Sequence, residues 1–77
     1  MAKYYDIYTQ IPGIKPCPQK WVVTENILDV NRGFLNIYNI VATNVKEFSN
    51  IETILLNQEY FIYMVESQYE GEHNDEH

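Results

Sequence analysis

Cys17 is the only cysteine in a chain of 77 residues, and that count limits how the chain can hold itself together. A chain this short buries about 60% of the surface its unfolded form exposes, which leaves a marginal core. Domains of this size often add a staple: disulfides, a metal or a partner subunit. One cysteine forms no disulfide within the chain, so stability must come from packing, with self-association where packing falls short. A lone thiol also fits a reducing compartment. Met1-Ala2-Lys3 leads into Tyr4-Tyr5-Asp6 rather than into an apolar secretory segment. The longest apolar run, residues 60–65, falls far short of the roughly 20 residues that span a bilayer. The sequence therefore predicts a cytoplasmic protein that stays off the membrane.

Charge is unevenly spread. Lys3, Lys15, Lys20, Arg32 and Lys46 balance Asp6, Glu25, Asp29, Glu47 and Glu52, whereas Glu59, Glu66, Glu70, Glu72, Asp75 and Glu76 have no cationic counterpart after Lys46. The body is near neutral, the C-terminal end is anionic, and the net charge is -6. Binding to a phosphate backbone needs clustered Lys and Arg, so direct nucleic-acid binding is not expected. Abundant Asn, Ile and Tyr beside scarce Ala, Gly and Arg fit an AT-rich genome, such as that of a phage or mobile element.

Local patterning predicts an α+β fold: a small antiparallel sheet with one or two helices packed on one face, and a small all-β barrel as the alternative. In residues 4–11, Tyr5, Ile7 and Ile11 alternate with Tyr4, Asp6, Tyr8 and Gln10, which is the pattern of a strand. Pro12-Gly13 and Pro16-Cys17-Pro18 make residues 12–19 a loop. Trp21-Val22-Val23 is a second strand, with Trp21 in the core. Thr24 suits a helix N-cap, with Glu25 behind it, Ile27 and Val30 inward and Gly33 as C-cap. Phe34, Ile37, Tyr38, Val41, Val45 and Phe48 recur at helical spacing, which favours a helix over residues 34–48 against a strand pair. Ser49-Asn50-Ile51-Glu52 matches a capping box leading a short helix to Asn57, with a hairpin as its rival. Residues 60–65 read as a strand, apolar on both faces and hence central in a sheet or covered by a partner. Residues 1–69 form one compact domain, and residues 70–77 an acidic, disordered tail.

The chemistry-bearing residues argue against catalysis. His73 and His77, the only histidines, sit in the expected tail, where nothing holds an acid–base group in place. Their i,i+4 spacing is not the zinc-protease order, so no metal site is assigned. Cys17 has no resolving cysteine and reads as a loop residue. Glu25, Asp29 and Arg32 would decorate a solvated helix face. The three glycines stand isolated at 13, 33 and 71, so there is no phosphate loop, and no cofactor is expected. Tyrosine stands out instead. A tyrosine ring offers large contact area, little side-chain entropy to lose and a polar tip. Tyr4, Tyr8, Tyr60, Tyr63 and Tyr69 are therefore the candidate partner-binding residues. The expected function is that of a small, non-enzymatic regulator or inhibitor acting by protein–protein contact. A structural subunit of a homo-oligomer and an acidic nucleic-acid mimic are the alternatives.

Overall fold

A computed structural model describes residues 3–24 and 28–69, and its secondary structure is almost entirely β. The described residues form β1 (Tyr5–Thr9), β2 (Gln19–Val23), β3 (Leu28–Asn31), β4 (Phe34–Ile37), β5 (Ile40–Thr43), β6 (Ile54–Asn57) and β7 (Phe61–Glu66), with single 3-10 turns at Lys46–Phe48 and Gln58–Tyr60. One sheet has four strands in the order β5-β2-β1-β7, and the other has three in the order β3-β4-β6. Every pairing is antiparallel. After β2 the chain leaves the four-stranded sheet, forms the β3–β4 hairpin of the other, and returns with β5, which pairs with β2. Further backbone bonds extend the ladders past the strand ends, Gln58 N–H donating to Gly33 at 2.9 Å beyond the β4–β6 pair and Gln10 N–H to Tyr60 at 2.8 Å beyond the β1–β7 pair.

The α+β expectation is thus overturned: among the described residues there is no α-helix, and two antiparallel sheets take the place of a sheet with helices. The helix expected from Thr24 to Gly33 is instead, in its described part, a strand and a tight turn. Arg32 and Gly33 both have positive φ, 55° and 83°, the signature of a two-residue hairpin turn whose twist matches its strands. Gly33 serves that turn rather than a helix end, and Asn31 pairs with Phe34 across it. The expected helix start at Glu25 and Ile27 lies outside the described residues.

The helix expected over residues 34–48 is replaced by β4, β5 and a 3-10 turn. Leu35 and Ile37 face the core from β4 and Ile40 from β5, while Phe34 and Val41, both on the expected apolar stripe, are exposed. Between the strands Asn39 adopts φ 56°, which shifts the phase of alternation by one residue. Two short period-two runs with a slip between them resemble a period of 3.6. The weak helix propensities of Asn, Ile, Val and Thr were the better guide. The expected capping box at Ser49 to Glu52 starts no helix; the Glu52 carbonyl accepts from Ile40 N–H at 3.0 Å, and β6 follows.

Ile7, Trp21, Val23, Leu35, Ile37, Ile40, Val45 and Leu56 form the core, and Phe48 stacks on Trp21 at 6.2 Å. Beside it lies a buried polar network. The Thr9 hydroxyl donates to Gln19 Oε1 at 2.8 Å and accepts from Trp21 Nε1–H at 2.8 Å. Gln19 Oε1 also accepts from Ile11 N–H at 2.8 Å, and Gln19 Nε2 donates to the carbonyls of Ile14 at 2.8 Å and Ile11 at 3.3 Å. A buried network is tolerable when its members are satisfied, and here one amide side chain ties β1, β2 and the loop between them.

Candidate functional site

Alternation along β1 sends Tyr5, Ile7 and Thr9 to the core and Asp6 and Tyr8 to the opposite face of the four-stranded sheet, with Tyr4 in the same phase one residue ahead. Across the ladder, Tyr8 stands opposite Lys20 on β2 and Tyr63 on β7, and Asp6 stands opposite Val22 and Val65. This outward face gathers four of the five candidate tyrosines into two pairs. The rings of Tyr8 and Tyr63 lie 5.0 Å apart, tilted by 48°. Those of Tyr4 and Tyr69 lie 5.0 Å apart, edge to face at 72°. Tyr60 does not join them: it ends the second 3-10 turn and packs against the core.

Asp6 is the residue the sequence did not single out. Its neighbours along the strand are Tyr4 and Tyr8, and those across it are Val22 and Val65, so an anion sits among aromatic and branched apolar side chains. It is 8% exposed, and its buried Oδ1 accepts no hydrogen bond from any described residue. Buried polar atoms are nearly always paired, so an orphaned carboxylate oxygen calls for an explanation. The one ion pair among the described residues, Lys3 with Glu66 at 4.0 Å, is exposed and does not involve it. A signal was present: an aspartate in phase with Tyr4 and Tyr8 in an aromatic strand, grouped there with the polar face of that strand.

β7 is the second unusual element. It was expected to be central or covered, yet it lies at the edge of its sheet, pairing among the described residues with β1 alone. Ile62, Tyr63 and Val65 are 41%, 51% and 45% exposed. Ser67 N–H donates to Tyr4 at 2.8 Å, and antiparallel pairs alternate between bonded and non-bonded. The backbone groups of Val65 and Tyr63 therefore point to β1, and those of Met64 and Glu66 point to the open edge. The strand is apolar on both sides because one side covers the core and the other belongs to the tyrosine face.

Other features carry less. A pocket of about 350 Å³ is lined by Gln10, Ile11, Lys15, Cys17 and Glu59, with no ion pair among those residues. Another of about 200 Å³, between Val30, Leu35, Gln58 and Phe61, is smaller than usual ligand sites. Cys17 is exposed and free. Among the described residues no cluster of three or more His, Cys, Asp and Glu could hold a metal ion. His73, His77 and the expected acidic tail lie outside the described residues. No helix among the described residues is long and apolar enough to cross a membrane. Comparison with family models, curated proteins and solved structures finds no match.

Proposed function

We propose that this chain is a small cytoplasmic regulatory or inhibitory protein that acts without catalysis, by occupying the surface of a protein partner with the outward face of its four-stranded sheet. The observation that carries the proposal is the gathering of Tyr4, Tyr8, Tyr63 and Tyr69 into two ring pairs on one face, around an aspartate with an unsatisfied oxygen. Interfaces concentrate binding energy in such central aromatic anchors. The near-neutral body leaves long-range steering to the acidic C-terminal residues, so added salt slows association without changing the rate of dissociation much.

The open edge of β7 supports a second reading, in which the chain is a subunit that completes itself against another copy. Affinity capture from the source cell with wild type and with Tyr8→Ala/Tyr63→Ala separates the two. Loss of a specific partner from the double variant supports the first, since a buried aromatic anchor is worth about 2 kcal/mol or more on truncation. Retention of the same proteins by both removes the tyrosine face from consideration. A wild type that sediments as a concentration-dependent dimer and retains nothing establishes the subunit reading instead.

A further inference from the structure

Resting on the partner-contact reading above, we propose that an extended segment of the partner adds beside β7 as a fifth strand of the sheet and lays an arginine or lysine across Val65 onto Asp6. Two independent features meet at this place. The edge offers the backbone N–H and C=O of Met64 and Glu66, the groups through which strand addition gains affinity. One strand inward, directly across from Val65, stands Asp6, 92% buried by its 8% exposure, with Oδ1 unpartnered. Side chains of alternate residues on an added strand fall on the outward face, so its residue opposite Val65 lies in one row with Val65, Asp6 and Val22. That row places it two strand spacings, about 10 Å, from β1. A long basic stem lies comfortably over an apolar surface such as Val65 and carries its charged head beyond it. Tyr63, half-exposed at the rim, turns aside as interface side chains do on binding.

The chemistry of the occupant follows from what Asp6 lacks. A buried carboxylate oxygen requires a donor, and a charged donor gives the strongest bond. The net charge of -6 favours a cation further. A second copy paired through its own β7 does not qualify. β7 reads Phe-Ile-Tyr-Met-Val-Glu, so in no register does another β7 bring a basic residue opposite Val65, and the pairing would set Glu66 beside a like-charged chain. The occupant we propose is a basic strand of a different protein, chosen by the donor that Asp6 Oδ1 lacks.

A displayed library of short random peptides, panned on the full chain, tests this. The expected result is enrichment of sequences with β-branched residues and one Arg or Lys at a fixed position. A peptide so selected should bind Asp6→Asn about ten- to a hundredfold more weakly, as loss of a bond to a charged group does. It should also bind Glu66→Pro more weakly by a similar factor. Proline at an edge position removes only an N–H that β1 does not use, so this variant keeps its fold, checked by circular dichroism. No enrichment, enrichment without a basic position, or unchanged binding to Asp6→Asn overturns the cation. Unchanged binding to Glu66→Pro overturns the strand. If Tyr8→Ala/Tyr63→Ala loses its natural partner while both these variants keep it, this proposal fails and the contact face stands. A wild type that dimerises with the Met64 and Glu66 amides protected from exchange overturns it in favour of a second copy.

Discussion

Replacing Asp6 by valine should make the protein more stable. Most substitutions at buried positions do the reverse, because they remove a packed group or strand a partner. Here the wild-type side chain is itself the stranded group: it is nine-tenths buried, flanked by Val22 and Val65, and its Oδ1 accepts no bond from a described residue. An acceptor left unsatisfied in the interior costs about 1–3 kcal/mol. Exchanging Asp for a β-branched residue on a strand gains up to about 1 kcal/mol more. No described hydrogen bond is given up in return. A net gain of about 2–3 kcal/mol raises the thermal midpoint of a domain this size by about 10–20 °C. Wild type, Asp6→Val and Asp6→Asn should be compared by urea titration and thermal melting, both followed by circular dichroism. Asp6→Asn, which keeps a polar group in place, should recover much less than Asp6→Val. If Asp6→Val melts at or below the wild type, Asp6 is satisfied in solution and has no orphaned oxygen to offer a partner. A stabilised variant that has also lost its partner would show a residue kept for binding at the expense of the fold.

Thr9→Val removes the acceptor of Trp21 Nε1–H and one donor to Gln19, and should cost about 1–3 kcal/mol in a urea titration. Trp21→Ala empties the centre of the core and should cost about 3–5 kcal/mol, enough to unfold so small a domain, as one-dimensional NMR dispersion would report. Arg32→Asn should raise the urea midpoint by an amount equivalent to about 0.5–1 kcal/mol, because Asn tolerates the positive φ that Arg32 holds in the turn; a loss of stability would mean that the arginine side chain does work there.

The sequence was most readable where alternation ran uninterrupted. The alternation of residues 4–11 placed β1 and separated its two faces, and Trp21-Val22-Val23 placed β2 and the core tryptophan. It misled where the phase of alternation broke. The slip at Asn39 made β4 and β5 look helical, and the hairpin at Arg32-Gly33 lacked the Asn-Gly pair that would have announced it. The tyrosine face was half legible. Parity along β1 placed Tyr4 and Tyr8 together, but only the register of β7 against β1 brings in Tyr63, and no local pattern encodes the pairing of the first strand with the last. Tyr60 was misplaced because β7 begins after it, and the 3-10 turn swings its ring toward the core. Gln19 and Thr9 passed unnoticed because a polar residue gives no hint from its neighbours that a tertiary network will bury it.

That network has a dynamic consequence. The nine residues from Gln10 to Pro18 contain no strand, yet Ile11 and Ile14 from this segment pack against the core. Their backbone is fastened by the Gln19 side chain, which holds the N–H of Ile11 and the carbonyls of Ile11 and Ile14. Between its two ends, where Gln10 N–H donates to Tyr60 and Asn44 Nδ2–H to Pro18, the segment is therefore a clasp with a single pin. It opens as one unit when the amide lets go, while the sheets stay closed, which is the behaviour of a separate local unfolding step. In hydrogen exchange the Ile11 amide should then follow the clasp rather than the strands. A protease acting on the native protein should cut first between Gln10 and Pro18, at a rate that Gln19→Ala raises far more than it lowers the melting temperature of the sheets.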